Sequence, residues 1–179
     1  GSVKLYRRKS NKTIDPVPME TLVEYDIAGV DFSAGITITG LQGDRINGAM
    51  KIEFVGEGPE LRYYFNGDQT ANYTNQYLSA FGSGAGASVS TVGYHRLKAT
   101  SVGNTSHGVS WLYSMSGQNR PTLNENEYAT NGIFKYASWY NNSVDEINSI
   151  TIYQATAGTS TGTIRISVPK GTKMASPSA

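Results

Sequence analysis

Apolar and polar residues alternate along most of the chain, starting at about residue 21. In MKIEFV (residues 50–55), Met50, Ile52 and Phe54 share one face, whereas lysine and glutamate occupy the other. The same alternation recurs in residues 22–27, 36–38, 61–65, 109–115, 132–140, 149–155 and 163–168. A period of two is typical of a β-strand with one buried face, and no long window keeps a helical stripe with caps.

Turn-forming residues separate these segments at the spacing expected of a β-sandwich. The pattern therefore predicts an all-β fold: roughly eight to ten antiparallel strands in two packed sheets, an antiparallel, jelly-roll-like β-sandwich. We assign residues 21–170 to this jelly-roll domain, residues 1–20 to an extended basic N-terminal arm and residues 171–179 to a disordered C-terminal tail.

The N-terminal arm differs in composition from the domain that follows it. Residues 1–12 contain no acidic residue, and a DPVP segment with two prolines follows. Such a segment is typical of an extended chain and not of a packed element. It is either a solvated tail or an anchor that lies along an acidic neighbouring subunit, and the candidate anchoring residues are Lys4, Tyr6, Arg7, Arg8 and Lys9.

Composition excludes several classes of partner. The formal net charge of +1 disfavours nucleic acid as the main partner, since phosphate binding needs concentrated positive charge. No run of eighteen apolar residues is present, so we expect no membrane insertion. The chain has no cysteine, which removes disulfides, thiolate nucleophiles and sulfur-ligated metals.

Residues suited to catalysis are sparse. His95 and His107 are the two histidines, and no Gly-x-Ser-x-Gly motif accompanies them, so ordinary strand or surface histidines are expected. The acidic residues form no recognisable catalytic pair, and we predict neither a metal site nor a cofactor. The glycine-rich GSGAGASVS (residues 82–90) lacks the features of a phosphate-binding loop, so we predict a flexible loop there. The sequence thus predicts a protein that is not an enzyme; a hydrolase is the weakest alternative.

Aromatic residues leave two interpretations open. Trp111, Trp139, Tyr140 and Tyr73 could pack in the core, or stack on a glycan if their rings are exposed. Adjacent strand residues face opposite ways, so one member of the Trp139–Tyr140 pair should point outward.

The stretch LRYYFNGDQTANYTNQYL (residues 61–78) has a structural explanation for each residue. Tyr63 and Phe65 share the parity of a core face, and Asn-Gly favours the positive backbone angles of a turn. Asp68 and Asn72 have side chains that suit exposed loop amides. We therefore predict that this stretch is part of the fold and not a ligand site.

Three segments together resemble a group of tailed-bacteriophage virion proteins. The first is ITITGLQGDRINGAMKIEF, with a Gly-Leu-x-Gly between two strands. The second is an R-x-x-F-N-x-D-x-x-x-N-Y run, and the third is an I-x-S-I-x-I segment followed by a glycine-flanked final strand. In this chain they correspond to Arg62, Phe65, Asn66, Asp68, Asn72 and Tyr73, and to residues 147–152 and 162–168.

The resemblance implies a non-enzymatic jelly-roll module on the virion exterior, such as a capsid decoration, a head fibre or a tail receptor-binding part. It also implies homotrimers and contacts with other capsid or tail proteins, with the arm as the attachment. The alternative is a carbohydrate-binding module or receptor-binding domain that stacks exposed aromatic rings on a host glycan.

Overall fold

The computed structural model describes residues 18–46, 49–81, 84–114, 117–128, 132–143 and 145–172. These segments contain no α-helix, and their one helical element is a 3₁₀ turn at Gly43–Arg45. The strands are β1 Met19–Val30, β2 Ile36–Thr39, β3 Ala49–Gly58, β4 Leu61–Phe65, β5 Tyr73–Phe81, β6 Gly84–Val92, β7 His95–Lys98, β8 Ser101–Tyr113, β9 Arg120–Tyr128, β10 Gly132–Tyr140, β11 Ser149–Gln154 and β12 Ser160–Pro169.

The strands form two antiparallel sheets packed as a sandwich, as the alternation of apolar and polar residues predicts. The larger sheet has eight strands in the order β1-β12-β3-β8-β9-β10-β5-β6, and the smaller has four in the order β2-β11-β4-β7. In the smaller sheet, and among β1, β12, β3 and β8 of the larger sheet, neighbouring strands are not consecutive in the chain. This arrangement is jelly-roll-like, with the meander β8-β9-β10 inserted between β3 and β5 of the larger sheet.

The core lies between the two sheets and is filled by the apolar faces of strands in both of them. Met50, Ile52 and Phe54 of β3 have no exposed surface, which confirms the face that their alternation predicts. The inward residues of β4 are buried in the same way: Leu61, Tyr63 and Phe65. Burial of large side chains on both sheets supplies the main stabilising free energy of such a fold.

Four strands lie outside the segments that alternation identifies: β5, β6, β7 and β9. The predicted flexible loop at residues 82–90 is wrong for its described part, because Gly84–Val92 forms β6 and pairs with β5 along its whole length. Nearly every β6 residue is exposed, whichever face of the sheet it lies on, so the strand has no buried apolar face for the sequence to display. The described part of the chain accordingly contains more strands than the sequence predicts.

The first and last strands of the sandwich pair with each other at the β1 edge of the larger sheet. Met19 of β1 pairs with Pro169 of β12, and the Lys170 amide donates to the Pro18 carbonyl at 2.7 Å. Met19 and Glu20 therefore belong to a paired strand, and the predicted boundary of the arm at residue 20 is corrected to the residues before it. Residues 1–17 of the predicted arm, including all five candidate anchoring residues, and most of the predicted tail lie outside the described residues.

Candidate binding surfaces

The outer face of the eight-stranded sheet, turned away from the core, carries an apolar surface near the β6 edge. Strand pairing places seven residues on this one face, and we call them the outer patch: Leu78, Ala80, Ala85, Ala87, Val89, Leu123 and Ile133. The four large members are half exposed or more, at 61% for Leu78, 64% for Val89, 50% for Leu123 and 53% for Ile133. A contiguous exposed apolar surface of this kind is typical of a contact site.

Shallow depressions follow the outer patch along the sheet. One has a volume of about 560 Å³ and is lined mainly by alanines of β5 and β6 together with Leu78 and Ile133. A second, of about 380 Å³, lies over Leu123 and Ala137. Lys135 lines both depressions, and its ammonium group lies 2.7 Å from the carboxylate of Glu125 in an exposed ion pair. The surface therefore offers apolar area with one charged pair at its centre.

Both tryptophans lie on the same outer face. Trp111 of β8 pairs with Leu123, and Trp139 of β10 pairs with Pro121, so one strand separates the two rings. Each is half-buried, and the Lys51 ammonium lies 5.8 Å from the centre of the Trp111 ring. The parity argument for residues 139 and 140 is confirmed, since Trp139 points outward and its neighbour points into the core.

Two of the candidate glycan-contact residues are corrected by the structure. Tyr73 and Tyr140 have no exposed surface, because both sit on the inner face of the sheet and stack on each other with ring centres 4.7 Å apart. Burial raises the pKa of Tyr140 to about 12 and raises that of Tyr73 as well. Rings enclosed in this way offer no face to a ligand, so Trp111 and Trp139 are the two candidates that remain accessible.

The loop that follows β4 is organised around Asp68. Its carboxylate accepts hydrogen bonds from the Thr70 amide at 2.9 Å, from Asn72 at 2.8 Å and from the Tyr140 hydroxyl at 3.0 Å. Burial alone would raise the pKa of Asp68, but these donors outweigh it and hold the pKa below the ordinary value. The side chains of Asp68, Thr70 and Asn72 therefore bond to one another, as a structural role for the stretch requires.

The turn itself depends on Asn66, which adopts a positive φ of 52°. Its side-chain oxygen accepts from the amides of Asn148 and Ser149 at 2.8 and 3.1 Å, and its NH₂ donates to the Glu146 carbonyl at 2.8 Å. The side chain thus ties the β4 turn to the segment that leads into β11. The predicted positive angles are present at Asn66 and at Gly67, whose φ is 70°.

His95 is a buried core residue. Its Nδ1 lies 3.1 Å from the Asn75 side-chain oxygen, and its Nε2 lies 3.3 Å from the Thr122 hydroxyl. The ring also packs against Tyr73 at 5.0 Å. Complete burial lowers the pKa of His95 to about 3, so the ring stays neutral at ordinary pH. His107 lies on the outer face, where its Nε2 is 2.9 Å from a Glu53 oxygen.

No pattern in the sequence indicates that the cationic side chains of Arg120 and Lys98 are buried. Arg120 is fully enclosed, and its Nη2 lies 3.3 Å from an Asp44 carboxylate oxygen. Nη2 also donates to the Asp145 carbonyl, and Nη1 donates to the Asn142 carbonyl. Lys98 donates to the Gly58 carbonyl at 2.7 Å, and burial lowers its pKa to about 8. Because both cations donate hydrogen bonds to backbone carbonyls, each has a structural role in holding loops against the sandwich.

A second polar and aromatic surface lies at the β7 edge of the small sheet. Glu60 bridges two arginines, with one carboxylate oxygen 2.5 Å from Arg62 Nε and the other 2.8 Å from Arg96 Nε. The Arg62 guanidinium stacks on the Tyr94 ring at 3.9 Å, and Arg96 also donates to the Tyr136 hydroxyl. The Glu60 carboxylate thus contacts both guanidinium groups, and together with the Tyr136 hydroxyl it ties β4, β7 and β10 together at this edge.

Among the described residues, no group of three or more His, Asp or Glu side chains is placed to hold a metal ion. Within those same segments no helix has the length and apolar character needed to cross a membrane. No family model, curated protein or solved structure matches the chain.

Proposed function

We propose that this chain is a non-enzymatic structural protein on the exterior of a tailed-bacteriophage particle. In this proposal the N-terminal arm attaches to the capsid or tail, and the jelly-roll domain presents its surface for decoration or host attachment. The three-part motif pattern of residues 36–54, 62–73 and 147–168 supports the phage assignment. The geometry of the sandwich supports function through surface contact.

The observation that carries the proposal is the placement of the chain ends relative to the outer patch. The chain enters the sandwich at β1, and β6 is the last strand at the opposite edge of the same sheet. Seven inter-strand spacings separate these edges, which is about 34 Å at ~4.8 Å per spacing. An arm attached to a particle at the β1 side would leave the β6 edge and the outer patch pointing away from that attachment.

Charge in the arm supplies the means of attachment. Basic residues together with Tyr6 can contact an acidic surface through both ion pairs and apolar packing. A segment that becomes ordered only on its partner loses conformational entropy, which charge contacts and burial must offset.

The test uses particles purified from the phage that encodes the chain. Deleting residues 3–17 keeps Pro18, whose carbonyl accepts from Lys170, so the sandwich should still fold. We expect the deletion variant to show the circular dichroism spectrum of the parent chain and to be absent from particles by quantitative mass spectrometry. A variant that keeps the arm length but carries Arg7→Ser, Arg8→Ser and Lys9→Ser separates charge from length. Normal incorporation of the deletion variant, or absence of the parent chain from particles, would refute the proposal.

A second candidate function is recognition of a host glycan, and the outward placement of both tryptophans favours it. Paired indole rings on one sheet face suit stacking against sugar rings. Trp139→Ala should abolish binding on a glycan array, whereas Tyr153→Ala, on the outer face of the small sheet, should leave binding intact. Loss of binding with Tyr153→Ala alone would place the glycan on the small sheet and would contradict glycan binding by the two tryptophans.

A further inference from the structure

The outer edge of β6 is an open strand edge in the described part of the chain. β6 pairs with β5 on one side through nine residues, and no described strand pairs with its other side. Such an edge presents a row of backbone donors and acceptors that another strand can satisfy.

Edge strands in the rest of the sandwich are protected. β1, at the other end of the eight-stranded sheet, carries Glu20, Glu24 and Asp26, all exposed or partly so. β2 and β7, at the ends of the smaller sheet, are each four residues long, and β7 is charged. Short length and charge are the features that prevent edge-to-edge association in natural sheets. Of the four edges among the described residues, only β6 is both long and uncharged.

The sequence of β6 is suited to meeting a copy of itself. GAGASVSTV contains no charged residue and no proline, so a second copy of the strand meets it without repulsion and without a missing donor. Gly84, Gly86 and Ser88 alternate with Ala85, Ala87 and Val89, which gives one face of very small side chains and one apolar face. Alternation of this kind is compatible with flat, closely paired strands.

The outer patch reaches this edge along neighbouring rows of β10, β5 and β6. Leu78 pairs with Ala87, and Ala80 pairs with Ala85, so apolar side chains run from β10 across β5 to β6. Two copies joined at β6 would make the two outer patches one continuous apolar surface. Joining the edges thus satisfies the open backbone groups and extends the exposed apolar face across both copies.

We propose that β6 pairs antiparallel with β6 of a second copy of this chain, which joins two eight-stranded sheets into one continuous sheet. A two-fold axis relates the copies, because an antiparallel pair of identical strands is self-complementary. The pairing does not depend on the phage assignment, since it uses only the edge and its composition.

The test compares two lysine substitutions on the same sheet face. Val89→Lys places a charge on β6 in both copies, whereas the matched control Leu123→Lys places the same charge in the outer patch on β9, three strands from the edge. Light scattering should give the parent chain and Leu123→Lys twice the 19.3 kDa chain mass, and should give Val89→Lys the mass of one chain. The dimer dissociation constant should rise at least about a hundredfold with Val89→Lys.

Mixing two variants distinguishes loss of dimerisation from loss of folding. Val89→Lys and Val89→Glu, each a monomer alone, should form a heterodimer when mixed, because opposite charges then meet across the axis. A parent chain of single mass or of trimer mass would overturn the proposal. So would dissociation by Leu123→Lys, which would show that the sheet face and not the edge holds the copies together.

Discussion

His95 makes the stability of this domain dependent on pH in a range where few other groups titrate. The folded state holds the ring neutral until its pKa of about 3, whereas an unfolded chain takes up the proton near the ordinary value of 6.5. Below 6.5 the unfolded state therefore binds more protons, and stability is progressively lost as the pH falls from 6.5 towards 3. The full stability contributed by the neutral ring is present above pH 6.5.

The size of the effect follows from the gap between the two pKa values. Each pH unit below 6.5 costs about 1.4 kcal/mol, so lowering the pH from 7 to 5 should reduce the free energy of unfolding by about 2 kcal/mol. For a domain of this size that corresponds to about 4–8 °C in Tm. Glu53 and Asp68 have lowered pKa values, and their contributions are lost only near and below their unfolded values of about 4.

Urea unfolding followed by tryptophan fluorescence at pH 7, 6 and 5 measures this loss. In His95→Gln the change between pH 7 and 5 should shrink to less than about 0.5 kcal/mol, because the group that takes up the proton is gone. His107→Gln is the matched control and should keep the pH dependence of the parent chain. In the folded parent chain, the imidazole carbon resonances of His95 should not shift between pH 7 and 4.5. A flat stability profile in the parent chain, or an unchanged slope in His95→Gln, would refute the assignment of a buried neutral ring.

Three further predictions about the packing are tested by urea unfolding. Tyr140→Ala should cost about 3–5 kcal/mol because its ring is fully buried, whereas Trp139→Ala should cost less than about 2 kcal/mol; equal costs would contradict their opposite faces. Arg120→Ala should cost about 3–5 kcal/mol, since it leaves the Asp44 carboxylate without its cation; a cost below 1 kcal/mol would show that solvent replaces it. Asn66→Ala should be about 1 kcal/mol less stable than Asn66→Gly, because both lose the side-chain hydrogen bonds but only alanine strains the positive φ; equal stability would rule out that strain.

Alternation was informative wherever a strand has one buried face and one solvated face. The segments that carry Met50, Ile52 and Phe54, or Leu61, Tyr63 and Phe65, show their core face directly in the sequence. The two-sheet sandwich follows from such segments, since each apolar face must be covered by another.

Strands with other surroundings gave no such signal. β9 turns Thr122, Asn124 and Asn126 inward, where they hydrogen-bond with buried groups such as the Leu97 carbonyl, so its inner face is polar. β6 is exposed on both faces and consists of small residues, which resembles the composition of a loop. Periodicity is visible only when one face of a strand is apolar and the other is polar. Neither β6 nor β9 has a buried apolar face.

The candidate site was predictable only in part for a related reason. Parity assigned Trp139 and Tyr140 to opposite faces, but it could not say which of them faced the core. Burial of Tyr73 depends on its contacts with Tyr140 and with His95. Tyr140 reaches it through the long-range pairing of β10 with β5, whereas His95 belongs to β7 in the smaller sheet. The outer patch likewise combines residues of β5, β6, β9 and β10, which no local pattern groups together.

Cross-linking mass spectrometry on intact phage particles tests the central claim most directly, that the chain works by contact and is held through its arm. We expect Lys4, Lys9 and Lys12 to cross-link to a different particle protein. Lys135, on the outer sheet face, should be modified freely by a soluble amine-reactive reagent. Particles without this chain, or cross-links to other particle proteins from Lys135 and none from the arm, would contradict the account.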